Sequence, residues 1–293
     1  MFKGSIAALV TPFNEAGEID FAALSRLLDF HLESGTDGLV IAGTTGESAT
    51  LRSGEFQALL EAVVLRVDGK IPVIAGTGVN ATERTVEYTK TAASSGADAA
   101  LVVTPYYNRP TQHGLVAHFR AVADEGGLPV LLYNVPSRTA VDMLPETVAL
   151  LSEHSQVAGV KEAVSSMERL QALMPLCSDS FCVLSGDDGS SLQAMKLGAA
   201  GVISVAANVV PAAFVRICRA AAAGNWDTGE AENQRLAKLF DLLSVETNPI
   251  PVKWALHEMS LCGPGLRLPL TPLSLTYREA LRSCLASLGI LNE

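Results

Sequence analysis

Long apolar runs are absent from the sequence, and this absence bears on where the protein works. No uninterrupted apolar stretch reaches the roughly 18 residues that a membrane-spanning helix needs. The apolar run after Lys3 ends at Thr11-Pro12 and is shorter than the roughly 7–15 residues of a signal-peptide core. We therefore expect a cytoplasmic protein with no membrane partner.

Basic charge is also scarce. The 293 residues carry 21 Lys and Arg against 31 Asp and Glu, which gives a formal net charge of −10. A protein that binds nucleic acid presents a basic surface to the phosphate backbone, so this balance argues against a nucleic-acid partner. It leaves room for a small anionic ligand, because a few local cations suffice to attract one.

Cysteine is too rare and too widely spaced to indicate a disulfide framework or a zinc site. The five cysteines are an odd number, and no two of them have CxxC spacing. Most lie in apolar surroundings, which is typical of reduced core residues in a cytosolic protein. We expect no metal ion and no cofactor.

The sequence does contain a repeated unit. Eight short apolar runs recur along it, each about the length of a strand. Most are apolar throughout, which is typical of parallel strands covered on both faces. The runs are Ser5–Val10, Gly38–Ala42, Pro72–Ala75, Ala99–Val103, Pro129–Tyr133, Val157–Lys161, Phe181–Ser185 and Gly201–Val205.

A segment with helical periodicity follows nearly every run; in Phe21–Glu33, for example, the leucines share one face. Eight strand–helix units in series predict a closed (β/α)8 barrel, the TIM barrel fold, over residues 1–224. A doubly wound sheet in two halves is the less favoured alternative. Residues 225–293 show helical patterns between prolines but no strand, so we predict a small C-terminal helical region there.

The active site of such a barrel lies where the strands end, and Lys161 stands at the end of an otherwise apolar strand. Lysine is almost never fully buried without a partner or a purpose. Desolvation disfavours its charged form, and a neutral amine is the nucleophile that a Schiff base requires. From position alone, a structural ion pair with Glu162 or Asp187 explains this lysine equally well.

Tyr133 ends the preceding strand and should lie beside Lys161. A phenol close to an amine can carry the proton transfers of imine formation. A single tyrosine at a strand end is more often structural, but the two residues together favour the catalytic interpretation.

Two further segments at strand ends are suited to anions. The small-residue turn GTTGES, Gly43–Ser48, can present backbone N–H groups to a carboxylate or a phosphate. Arg138 follows the fifth strand in a Pro-Ser-Arg loop, where a guanidinium suits a substrate carboxylate. A plain turn and a solvated arginine are the alternatives.

Adjacent tyrosines, Tyr106 and Tyr107, occupy a loop bracketed by prolines. Neighbouring side chains on an extended backbone point in opposite directions. One tyrosine can therefore face a site while the other faces elsewhere, for example a subunit boundary.

Six segments contain most of these polar residues: GTTGES, TPYYNRP, YNVPSRT, KEA, LSGDD and GVISVAANVVP. Together they resemble the dihydrodipicolinate synthase family, and the resemblance runs from about Gly4 to Leu256. GTTGE is shared with the wider superfamily of pyruvate lyases, whereas the arginine of YNVPSRT separates this family from the sialic acid lyases. The resemblance implies a lyase that condenses pyruvate with L-aspartate 4-semialdehyde in the diaminopimelate route to lysine.

The resemblance also implies catalytic roles. Lys161 forms the imine with pyruvate, so no separate cofactor is needed. Tyr133, Thr44 and Tyr107 form a proton relay. Tyr107 is supplied by a neighbouring subunit of a homotetramer built as a dimer of dimers.

Substrate-binding roles follow from the same resemblance. Thr44 and Thr45 hold the carboxylate of pyruvate. Arg138 receives the carboxylate of the aldehyde. Gly186 and Ile203 line the floor of the pocket.

A site for feedback inhibition by lysine is implied less completely. Four residues match it: Ser48, Ala49, Asn80 and Tyr106. Feedback-sensitive members commonly carry His, His and Glu where this sequence has Ser53, Phe56 and Arg84. Replacing a carboxylate by a cation repels the ammonium group of lysine, so we expect weak or absent inhibition by lysine.

Two other functions remain alternatives. A pyruvate-dependent aldolase of the N-acetylneuraminate lyase or 2-keto-3-deoxy sugar acid type would use the same lysine, but Arg138 argues against it. A non-catalytic paralogue that binds a small acid would not need the complete set of Lys161, Tyr133, Thr44 and Tyr107.

Overall fold

The computed structural model describes residues 2–291; Met1, Asn292 and Glu293, at the outer ends of the two predicted units, lie outside the described residues. Eight parallel strands close into a barrel in chain order, which confirms the predicted fold. The strands are β1 (Gly4–Ala8), β2 (Gly38–Ile41), β3 (Val73–Gly76), β4 (Ala99–Val103), β5 (Val130–Asn134), β6 (Val157–Glu162), β7 (Cys182–Ser185) and β8 (Gly201–Ser204).

The strands are mostly apolar because each of them contributes side chains to two cores. Alternate side chains of a strand point to opposite faces of the sheet. In β5, Leu131 and Tyr133 pack in the barrel interior, whereas Leu132 packs outward against the helices. This alternation decides which strand-end residues enter the barrel mouth.

Helices surround the barrel and follow the strands as predicted. Asp20 caps the first helix by accepting the N–H of Ala23, and Gly35 ends it with a left-handed φ of 77°. The helices are α1 (Phe21–Ser34), α2 (Ser53–Val67), α3 (Thr82–Ser94), α4 (Gln112–Glu125), α5 (Pro136–Thr139), α6 (Pro145–Ser152), α7 (Met167–Leu173), α8 (Ser191–Leu197), α9 (Pro211–Ala222), α10 (Trp226–Leu242), α11 (Ile250–Glu258) and α12 (Leu275–Ser287).

One local prediction was wrong. The Pro-Ser-Arg segment that contains Arg138 is not an irregular loop but the one-turn helix α5. Pro136 occupies its first position, where the missing N–H costs nothing, and Ala140 ends it in the left-handed conformation. Four residues are too few for a helical period to be visible in the sequence.

Among the C-terminal helices, α10 packs against α9 and α8 of the barrel, and α12 packs against α10 and α11. Leu236, Leu239, Leu281 and Leu285 are buried in the same apolar cluster as the outer faces of the strands. The division of the chain at residue 224 stays a prediction, since both segments contribute to one core. Among residues 2–291, none of the helices combines the length and the apolar character that a membrane span requires.

Candidate active site

Lys161 lies at the carboxyl end of β6 with its side chain inside the barrel. It pairs in register with Tyr133 of β5 on one side and with Leu184 of β7 on the other. Only 6% of the residue is exposed. Its Nζ atom lies 4.2 Å from the centroid of the Tyr133 ring, so the two predicted residues are in contact.

No carboxylate within residues 2–291 forms a salt bridge with the Lys161 amine, taking an N–O distance of 4.0 Å as the limit. The proposed structural partner Glu162 is the next residue along β6 and therefore points to the opposite face of the strand. Asp187 instead accepts hydrogen bonds from the N–H and hydroxyl of Ser190. The alternative in which Lys161 serves a structural ion pair does not fit this arrangement.

Gly186, after β7, leaves room for the lysine side chain. A Cβ atom at this position would lie 3.0 Å from Cε of Lys161 and 3.0 Å from Cβ of Ala163. Both distances are shorter than ordinary van der Waals contact, so any larger residue would displace the lysine. Ile203 is fully buried in the same interior cluster as Tyr133.

Glu162 is a buried acid behind the sheet. Its carboxyl oxygens accept hydrogen bonds from Nδ2 of Asn134 at 3.1 Å and from the N–H of Val164 at 2.8 Å. Burial raises the pKa of Glu162 to about 7, while these donors and the nearby Arg169 act in the opposite direction. The pKa of Glu162, the residue after the candidate nucleophile Lys161, is therefore close to neutral pH.

Asp188 is a second buried acid, on the loop after β7. One carboxyl oxygen accepts the N–H of Ala206 at 2.8 Å, and the other has no hydrogen-bond partner among the described residues. Burial raises the pKa of Asp188 to about 6, and the positive charge of Lys161 opposes that change. The sequence placed Asp188 among the strand-end residues without indicating that it would be buried near the lysine.

The GTTGES segment after β2 forms a tight turn. The N–H groups of Gly46 and Ser48 donate to the carbonyl of Gly43, and the N–H of Glu47 donates to that of Thr44. The N–H groups of Thr44 and Thr45 have no hydrogen-bond partner within residues 2–291. The turn therefore offers two unused donors, the feature expected of an anion-binding turn.

A cavity of about 530 Å³ opens beside this turn. Its lining contains residues from both predicted groups, the substrate-binding set and the feedback set. From the substrate-binding set, the lining contains Thr44 and Arg138. From the feedback set, it contains Ser48, Ala49, Asn80, Arg84, Phe56 and Tyr106. Ser53 is not part of this lining; its hydroxyl lies 3.4 Å from that of Tyr88.

Tyr107 stands apart from the other predicted catalytic residues. It is 88% exposed, and its φ of 73° is unusual for a residue with a side chain. The N–H of Asn108 donates to the carbonyl of Tyr106 across it, at 2.9 Å. Within the single chain, Tyr107 hydrogen-bonds to neither Thr44 nor Tyr133, so the predicted relay is not assembled from one subunit alone.

Sequence reasoning missed the residues that hold the GTTGES turn from outside the barrel. Asn248, just before α11, donates to the Thr45 hydroxyl at 3.0 Å. Lys253, in α11, pairs with Glu47 at 2.6 Å, and both side chains are buried. The sequence did contain one signal: Lys253 lies inside the apolar segment IPVKWAL, and a buried lysine needs a partner.

A metal site is not indicated by the donor groups. Residues 2–291 contain no group of three or more His, Cys, Asp or Glu side chains arranged to hold an ion.

A closed (β/α)8 barrel whose buried strand-end lysine has no salt-bridge partner within residues 2–291 is the arrangement expected of a lysine-dependent aldolase, which is a lyase. The model of the family described as "Dihydrodipicolinate synthetase family" matches residues 1–288. The chain belongs to this family, as its motifs predicted.

Individual relatives of this family are similar to the chain over nearly its full length. A 4-hydroxy-tetrahydrodipicolinate synthase from Ectopseudomonas mendocina (strain ymp) is 52% identical over 291 residues, covering 99% of this chain and 100% of the relative. The crystal structure of dihydrodipicolinate synthase from Aquifex aeolicus matches with a TM-score of 0.96 and 46% identity, covering 99% of each chain. The chloride-inhibited synthase from Acinetobacter baumannii, complexed with pyruvate, matches with a TM-score of 0.97 and 45% identity, covering 99% of this chain and 100% of that one.

The buried Glu162 predicts a pH-dependent contribution to stability. Its pKa in the folded state is raised from the ordinary 4.5 to about 7, so folding favours the neutral acid. The contribution of Glu162 to stability should therefore be greatest below pH 4.5 and fall as the pH rises towards 7, by at most about 3 kcal/mol. Glu162→Gln should remove this loss. Thermal unfolding of both proteins between pH 5 and 8 checks it; a constant difference in midpoint over that range contradicts it.

Proposed function

We propose that this chain catalyses the condensation of pyruvate with L-aspartate 4-semialdehyde, the reaction of a 4-hydroxy-tetrahydrodipicolinate synthase, in the cytoplasm. The reaction belongs to the diaminopimelate route to lysine. The observation that carries the proposal is the buried amine of Lys161, which contacts Tyr133 and has no salt-bridge partner in the described part of the chain. Full-length relatives that bear this name favour the synthase over the other aldolases considered.

The first step is imine formation at Lys161. The amine attacks the keto carbon of pyruvate, a C–N bond forms, and the carbonyl oxygen leaves as water. Two protons must move during this step. The ring of Tyr133 lies 4.2 Å from Nζ, so we assign these transfers to its phenol. The protonated imine then serves as the electron sink when the methyl proton is lost, so the reaction needs no separate cofactor.

The carboxylate of pyruvate is held by the GTTGES turn. The unused N–H groups of Thr44 and Thr45 are donors for its oxygens. Gly186 keeps the space next to the lysine open, and Ile203 closes the interior below it.

Carbon–carbon bond formation follows. Loss of a methyl proton converts the imine to an enamine, whose carbon attacks the aldehyde of the second substrate. The Arg138 guanidinium, on the wall of the cavity, pairs with the carboxylate of that substrate. The amino group of the second substrate then displaces Lys161 from the imine carbon, which closes the ring and frees the enzyme.

The proton relay of Tyr133, Thr44 and Tyr107 requires a second copy of the chain. An exposed tyrosine on an unusual backbone conformation suits insertion into a neighbouring subunit. We propose that Tyr107 completes the relay across the interface of a homotetramer.

The proposal predicts covalent trapping on one residue. Reduction with borohydride in the presence of pyruvate should label Lys161, as peptide mass spectrometry can establish. Lys161→Ala should lose the label and nearly all turnover. Arg138→Ala should still be labelled but lose about two orders of magnitude in kcat/KM for the aldehyde, because only the second substrate loses its ion pair.

Arg120→Ala is the matched control, since Arg120 is exposed on α4. It should keep both labelling and turnover. Labelling on another lysine, or none at all, contradicts the proposal. Equal losses in Arg138→Ala for both substrates would contradict the role of that arginine.

We also propose that the feedback residues Ser48, Ala49, Asn80 and Tyr106 form only a weak site for lysine in this chain. Arg84 lines the same cavity and repels an ammonium group. Half-inhibition by L-lysine should need a concentration of about a millimolar or more. Arg84→Glu should lower that concentration. Arg120→Glu, with the same charge change outside the cavity, should not. Half-inhibition of the unaltered enzyme at sub-millimolar lysine overturns this prediction.

A further inference from the structure

The C-terminal segment contacts the GTTGES turn at three points. Nδ2 of Asn248 donates to Oγ1 of Thr45 at 3.0 Å. Nζ of Lys253 donates to Oε1 of Glu47 at 2.6 Å. The N–H of Arg267 donates to Oε2 of the same glutamate at 3.0 Å. Both ends of the turn segment Thr45–Glu47 are therefore held by residues that lie outside the barrel strands.

The ion pair of Lys253 and Glu47 is fully enclosed. Lys253 has no exposed surface and the residue Glu47 has 4%. Burial lowers the pKa of Lys253, and the charge of Glu47 opposes that change. Taking both charges out of water is costly, and a buried pair is therefore weak evidence of a contribution to stability. The pair does, however, fix the distance between α11, which contains Lys253, and the GTTGES turn, which contains Glu47.

Phe13 and Arg267 complete the enclosure. The Phe13 ring centroid lies 4.4 Å from Nζ of Lys253 and 4.2 Å from Cζ of Arg267, so the ring packs against both cations. Arg267 also forms a two-pronged ion pair with Glu55, at 2.7 and 2.8 Å. Neither cation can move without breaking several contacts.

Glu47 itself has a strained backbone. Its φ of 54° lies in the left-handed region, which residues other than glycine adopt only where the surroundings impose it. Its N–H donates to the carbonyl of Thr44 and its carbonyl accepts the N–H of Thr50, and the hydrogen bonds from Lys253 and Arg267 hold its side chain in addition. Thr45 and Thr44, two and three residues before Glu47, carry the N–H groups that have no hydrogen-bond partner within residues 2–291.

We propose that Lys253 is a positioning residue for the pyruvate carboxylate: through Glu47, it holds the Gly43–Ser48 turn in the conformation that directs the Thr44 and Thr45 N–H groups at the substrate. This inference rests on the proposed function, because it deepens the account of the same carboxylate site. Lys253 does not touch substrate. Its effect is on the binding of pyruvate and not on the chemistry at Lys161.

The test is the double variant Glu47→Gln/Lys253→Met. It removes both charges together, so no uncompensated buried charge remains and folding is preserved. The glutamine can still accept the N–H of Arg267. The pyruvate KM should rise about tenfold or more, the equivalent of losing one charge-assisted contact. The pyruvate concentration that half-saturates borohydride trapping on Lys161 should rise by the same factor.

Other parameters separate positioning from a general loss of structure. The KM for L-aspartate 4-semialdehyde and kcat at saturating pyruvate should change by less than about twofold. The matched control is Glu125→Gln/Lys90→Met, which removes an exposed ion pair at 4.0 Å. It should leave both KM values unchanged.

Two results overturn the inference. One is a folded double variant whose pyruvate KM and trapping midpoint are unchanged. The other is a parallel loss for both substrates and kcat, which indicates a structural role only. Failure of the unaltered protein to trap pyruvate on Lys161 is a different outcome, since it refutes the proposed function before any variant is compared.

Discussion

The candidate site depends on one constraint: an amine is buried at the end of a parallel strand, and no carboxylate among residues 2–291 forms a salt bridge with it. Lys161 satisfies this constraint because the alternation of β6 directs the adjacent acid, Glu162, to the other face of the sheet. Gly186 supplies the space and Tyr133 supplies an aromatic face and a phenol. If a carboxylate reached the amine, the charged form would be stabilised and its use as a nucleophile would be lost. Asp188 is buried nearby, but its carboxylate accepts the N–H of Ala206 and forms no salt bridge with Lys161.

Much of this arrangement could be predicted from the sequence because it is local or follows from strand order. Continuous apolar runs indicate strands with two covered faces, and eight of them in series leave a closed barrel as the simplest topology. The same order places the ends of neighbouring strands side by side, so contact between Tyr133 and Lys161 was predictable without coordinates. The short helix around Arg138 was not, since one turn has no period and depends on a proline at its start.

The contacts of the GTTGES turn with Asn248 and Lys253 could not be predicted from the sequence for a different reason. Asn248 and Thr45 are 203 residues apart, and Lys253 and Glu47 are 206 apart. Nothing in either segment indicates which distant residue it contacts. For the C-terminal segment, the sequence predicted only a small helical region. Tyr107 could not be assigned from one chain either: its side chain is 88% exposed, and the proposed role in the relay requires a second subunit.

The most direct test of the central claim is a crystal structure of the protein soaked with pyruvate. The account predicts continuous density from Nζ of Lys161 to the keto carbon, with the carboxylate on the N–H groups of Thr44 and Thr45. Pyruvate bound elsewhere, or held near Lys161 only as a free anion paired with its ammonium group, would contradict it.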